Sequence, residues 1–312
     1  MNKMIILLKR EIWEHKVSFV YLPIVVASLC AFFVISGLGV LQLGGDAITI
    51  QADIDYDNGN VKENYDVNDT FDSVVGHGLR EFSGRSIQAK EKALNSVYLS
   101  VSAPLILTLW LVMISYLVMS LYQDRKDRSI LFWKSMPVSD FATVISKVIA
   151  ALVIVPGIYL LACMGLHIVL LLVSSVSAMG YDVPVWSTLW APANIFTRWA
   201  AMAIYFLIVG LWCLPFYAWL LLVSSRAKSV PLAWMIGLPL VLVLLELMFA
   251  NTTYVKDFIG QHIAPVSISE DLDRGIGRVF DRVMNLELIV SVIIGCVFIY
   301  GAVIFRGKAD EL

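Results

Sequence analysis

Asp53, Asp55 and Asp57 stand at alternate positions before Asn58-Gly59, a pattern close to the oxygen-rich loop that binds calcium. The glycine falls one place late, however, and Asn64 occupies the position where a bidentate Glu would close the loop. The alternation of AITIQADIDYDNGNVKE around Asn58-Gly59 is equally that of a two-residue β-hairpin, which is the expectation adopted here. Other chemistry is sparse. The four histidines, His15, His77, His167 and His262, are scattered, and neither an H-E-x-x-H pair nor a paired-cysteine spacing is present. His167, alone in an apolar run, reads as a hydrogen-bonded packing residue. Cys30, Cys163, Cys213 and Cys296 all fall in apolar stretches and read as packing residues too. There is no G-x-S-x-G elbow and no G-x-x-x-x-G-K-[ST] phosphate loop. The chain is therefore expected to be no enzyme, with no catalytic residue, no metal and no cofactor of its own.

One carboxylate stands out. Glu246 lies inside VLVLLELMFA, and a carboxylate in hydrocarbon costs several kcal/mol unless it faces a cavity or the bundle interior. Two readings stand side by side: a residue of a pathway or gate, or one reaching the headgroups from four residues inside the outer end of its span.

The elements that must position such residues follow from composition. Residues of the AVILMFWYC set make up 59% of the chain, only 15% is charged, and the mean hydropathy is +0.79, which excludes an ordinary soluble domain. Six apolar stretches, uncharged except for Glu246, approach the ~20 residues needed to cross hydrocarbon: 18–43, 99–122, 148–173, 200–223, 231–250 and 288–304. The expected fold is all-α and polytopic, with six transmembrane helices. The first apolar run is too long for a signal-peptide core and lacks an A-x-A cleavage pattern, so it is expected to be retained.

Lys and Arg set the orientation. Segments 1–16, 123–147, 224–230 and 305–312 hold 13 Lys/Arg against 7 Asp/Glu, whereas 44–96, 181–199 and 251–287 hold 10 against 17. Both termini are thus expected in the cytoplasm. Residues 1–16 place Met4, Ile5, Leu7, Leu8 and Trp13 among charges at helical spacing, an interfacial amphipathic helix in preference to a simple basic leader. Span 1 then occupies 17–43, an acidic external insertion 44–96, span 2 97–122, spans 3 and 4 148–223, and span 5 231–250. An external loop, 251–287, is expected to carry a short amphipathic helix N-capped by Ser269, with Leu272, Ile276, Val279, Phe280 and Val283 on one face. Span 6 is 288–304 and the tail 305–312. Pro104, Pro156, Pro215 and Pro239 interrupt four spans and are expected to kink them.

The cytoplasmic segment 123–147, QDRKDRSILFWKSMPVSDFATVISK, is more than a connector. It runs from Asp124, Arg125, Asp127 and Arg128, through Ile130, Leu131 and Phe132, to Ser135-Met136-Pro137-Val138-Ser139 and finally Lys147. This pattern resembles the segment after the second span in permease subunits of type 2 ABC exporters. The resemblance implies a coupling helix that docks on a separate ATPase subunit. Phe132, Trp133 and Met136 are anchor types enriched at interface hot spots, with Arg128 and Lys134 at the rim. Ile130, Leu131, Pro137 and Val138 complete the expected coupling set, and Arg226 and Lys228 form a second, smaller contact.

The same resemblance implies two ATPase copies carrying ATP and Mg, a second permease copy, and a place in the inner (plasma) membrane. The implied function is export of an amphipathic or lipid-like substrate or a peptide. No nucleic-acid partner is expected. The rival reading is a non-transporting scaffold or sensor, whose external cap binds a ligand and whose cytoplasmic loop recruits a soluble protein.

Overall fold

The computed structural model describes residues 3–43, 71–128, 130, 135, 138–263 and 286–308. Nearly all of them are helical, and there is no strand among them. The expected hairpin at Asn58-Gly59 and the expected helix after Ser269 lie outside the described residues.

The helices are α1 (Lys3–Glu14), α2 (Leu22–Leu43), α3 (Phe71–Gly84), α4 (Ile87–Lys126), α5 (Asp140–Ile149) and α6 (Val155–Met179). They continue with α7 (Ile195–Trp212), α8 (Leu214–Arg226), α9 (Pro231–Leu245), α10 (Tyr254–Ile263) and α11 (Leu286–Gly307). Among the described residues, six helical stretches are long and apolar enough to cross a membrane: Val17–Ser36, Ile87–Lys126, Asp140–Met179, Trp186–Trp212, Pro231–Ala250 and Leu286–Gly307. This is a multi-pass helical membrane protein.

The breaks in these helices have local causes. Ser139 caps α5 by accepting the Ala142 N–H at 3.1 Å, so helix begins at Asp140, within the expected coupling segment 123–147. A π-helical turn, Ala150–Ile154, joins α5 to α6, and the Val155 N–H reaches back to the Ala150 carbonyl. Pro156, which has no N–H to donate, follows at once, and a widened turn is the local repair that membranes require. Cys213 parts α7 from α8 just before Pro215. Pro104 lies inside α4, where the Thr108 hydroxyl donates to its carbonyl at 2.7 Å. Helix α4 runs from Ile87 straight into the second span, and α3 precedes it across a break at Arg85-Ser86.

The chain forms two structural units. One comprises Val25–Ser102 and Cys163–Phe196. Its core gathers Tyr98, Leu170, Leu171, Ala178, Leu189 and Ala193. His167 is buried there, 2.8 Å from the Ser102 hydroxyl and beside the Tyr98 ring, in the packing role expected of it.

The other unit comprises Met1–Ile24, Ala103–Ala162 and Thr197–Leu312. Within it α8 packs along α11, while α5 touches both α1 and α11. The buried side of α11 carries Ser291, Gly295 and Ala302, small residues that admit a neighbouring backbone, with Ile299 packed among them. A Cβ at Gly295 would stand 2.6 Å from Leu214 Cγ.

Candidate functional site

Helix α1 buries Leu7 and Glu11, one turn apart, so its inward side carries a carboxylate as well as an apolar residue. Glu11 is completely buried. Its Oε2 accepts the Tyr116 hydroxyl at 2.7 Å, and Lys147 Nζ donates to its two oxygens at 3.2 and 3.3 Å. Lys147 is itself only 1% exposed.

Asp124, near the end of α4, is the hub next to this pair. Arg10 Nη2 reaches its Oδ1 at 3.1 Å, Arg306 Nη1 reaches its Oδ2 at 3.1 Å, and Lys147 Nζ lies 3.7 Å from Oδ2. At the edge, Arg306 also pairs with Asp140 at 3.2 Å and Arg10 with Glu14 at 2.7 Å. Among the described residues, seven ion-paired side chains thus tie α1, α4, α5 and α11 together. Ions removed from water need this kind of mutual compensation, since one left alone is very costly.

Burial alone would lower the Arg10 guanidinium, but Glu14, Asp124 and Glu11 outweigh it and hold it above its ordinary value. His15, on the next turn, packs edge-on to Tyr116 at 4.9 Å and against Phe19 at 5.4 Å. Burial pushes it below its usual range. Glu11, Glu14 and His15 bring possible metal-ligand atoms within 4.8 Å, yet both Glu11 oxygens are already engaged by Tyr116 and Lys147.

A second fastening joins α4 to α8. Arg125 donates to the Ser224 and Ala227 carbonyls at 2.9 and 2.7 Å, placing a cation on the negative end of α8. The Ser224 hydroxyl in turn accepts from the Leu121 and Tyr122 amides, each at 3.0 Å. The chain then reverses at Val230, a β-branched residue at φ 40 immediately before Pro231. That conformation is strained for any residue preceding proline.

The expected coupling residues divide into groups. Arg128 is exposed at φ 56, and Arg226 and Lys228 are exposed, with the Arg226 guanidinium 5.1 Å above the Phe305 ring. Val138 is half-buried, whereas Ile130 is only 1% exposed and packs into its own chain. Leu131, Phe132, Trp133, Lys134, Met136 and Pro137 lie outside the described residues.

Three motif residues, Asp124, Arg125 and Lys147, have a role the spacing did not disclose: they are buried and bolt the two flanks of the 123–147 segment in place. Glu11 and Arg306, their partners, were not singled out from sequence. The available signal was a charge one helical turn from Leu7 in the first case, and a charge closing an apolar run in the second.

Glu246 has a local partner beyond the end of its span. Its carboxylate accepts the Thr252 hydroxyl and the Val255 amide, each at 2.9 Å, and so caps the N-terminus of α10. Helix α10 was not expected in the 251–287 loop. Its far end is held by two indoles: Trp110 Nε1 donates to the Ile263 carbonyl at 2.9 Å and Trp212 Nε1 to Gln261 at 3.1 Å. His262 is buried between them and α11, 2.7 Å from the Ser291 hydroxyl and stacked on Trp212.

Compared with models of known protein families, with curated proteins and with solved structures, the chain has no match.

Proposed function

We propose that this chain is the transmembrane permease subunit of an ATP-driven exporter, coupled through the 123–147 segment to a separate ATPase. The observation that carries this reading is the pair of buried anchors at the segment's ends. Asp124 and Lys147 are locked to α1 and α11, so a push on the segment between them moves helices instead of bending a slack loop. Exposed Arg128, Arg226 and Lys228 surround the same helix ends and suit the rim of a docking face.

The subunit works as a dimer with a second permease copy and two ATPase copies that hold ATP and Mg. It sits in the inner (plasma) membrane with both termini cytoplasmic. Closure of the ATPases moves the segment and opens a path for an amphipathic or lipid-like substrate or a peptide.

Co-purification with a candidate ATPase that carries a phosphate loop, followed by ATP hydrolysis in proteoliposomes, tests the reading. Phe132→Ala with Trp133→Ala is expected to abolish the complex and its stimulated hydrolysis. An unchanged complex and rate in that double variant rejects the assignment.

A further inference from the structure

Opposite its buried Leu7 and Glu11, α1 presents a continuous stripe at helical spacing: Ile5, Ile6, Lys9 and Trp13, continued by Lys16 two residues beyond its end. Ile5 is 57% exposed, Ile6 46% and Trp13 64%, and both lysines are exposed. Large apolar side chains interleaved with lysines on one exposed arc suit a lipid interface. The aliphatic and indole bodies enter the acyl boundary while lysine stems carry their charge up to the headgroups. A face for a soluble protein would be poor in lysine.

Charge sorting in the ion-paired cluster adds to this. Glu11 and Asp124 are buried and matched by Lys147, Arg10 and Arg306, so these acids do not offset the exposed cations around them. Glu14 is paired with Arg10. Exposed Lys126 and Lys308, next to Arg125 and two residues beyond Arg306, extend the basic rim at the same helix ends, with Asp127 an exposed acid beside Lys126.

We infer that the outer stripe of α1 is a binding surface for anionic phospholipid headgroups, with Lys9 and Lys16 as the headgroup ligands and Trp13 as the interfacial anchor. The same helix grips Asp124 and Lys147 through Arg10 and Glu11 on its other side. Headgroup charge in that leaflet therefore bears directly on how firmly the cluster is held. The inference stands whether or not the chain is an exporter.

The test is tryptophan quenching of the full chain in nanodiscs that contain brominated phosphatidylglycerol or, at equal mole fraction, brominated phosphatidylcholine. The difference between wild type and Trp13→Phe isolates Trp13. Stronger quenching by the anionic lipid is expected, with the preference falling about fivefold for each of Lys9→Gln and Lys16→Gln and vanishing in high salt. Both lysines are exposed, so these variants leave the fold intact. Equal quenching by the two lipids, or a preference unmoved by the lysine variants, overturns headgroup selection. No quenching by either shows that protein covers the stripe.

Discussion

A lysine as deeply buried as Lys147 persists because Glu11 and Asp124 meet its charge at the position where it would otherwise be stranded. Lys147→Met removes that compensation and leaves Glu11 sealed with only the Tyr116 hydroxyl. A loss of about 3–5 kcal/mol is expected, read as a fall in thermal midpoint in detergent. Lys147→Met combined with Glu11→Gln should recover a large part of it, as a double-mutant cycle would show.

His15 and His262 give a pH dependence of definite sign. Burial is the first cause of both shifts, and both folded-state values lie below the ordinary 6.5. The unfolded chain therefore binds a proton near 6.5 that the folded chain resists, and stability is lost as pH falls through that value. Unfolding midpoints between about pH 8 and pH 5 should drop less in His15→Gln and His262→Gln than in wild type.

At the level of the helices, two contacts make opposite demands on their residues. Gly295 lets α8 come close to α11, and a Cβ there would lie 3.3 Å even from the Leu214 backbone carbon. Gly295→Val should cost about 1–3 kcal/mol through overpacking. At Gly237 no atom lies within 4 Å of an added Cβ, so Gly237→Ala is the matched control and should be neutral or better. Glu246→Gln keeps the shape of the α10 cap and removes its charge. About 1 kcal/mol of local stability should go, seen as faster amide exchange over Tyr254–Ile263 with the other helices unmoved.

Helix α10 also marks the boundary of what periodicity can disclose. Its partners, Trp110, Trp212, Glu246 and Ser291, come from four other helices, and nothing local in VKDFIGQHI announces them. Six apolar spans were legible because hydrocarbon imposes a length and excludes charge, but the fourth was expected at 200–223 and lies at Trp186–Trp212, the helix parting at Cys213 before Pro215. The ion-paired cluster was half legible. Lys147 and Asp124 drew notice as motif residues, but their burial depends on contacts with residues more than a hundred positions away.

For the molecule as a whole, the orientation read from Lys and Arg is open to direct test. The ionic cluster and the basic rim share one set of helix ends, so they face one compartment together. Lys308→Cys in intact cells is expected to resist a membrane-impermeant maleimide and to react after permeabilisation. Labelling of the intact cell would invert the topology and remove the 123–147 segment from any cytoplasmic ATPase.

The Asp124 hub has a consequence for biosynthesis. Its cations arrive at different times: Arg10 is already made when Asp124 leaves the ribosome, Lys147 follows shortly, and Arg306 comes 182 residues later. Until the last helix inserts, the nascent protein carries a carboxylate one cation short at the root of α4. A chain arrested before Arg306 thus lacks one of the three cations that surround Asp124 in the finished fold.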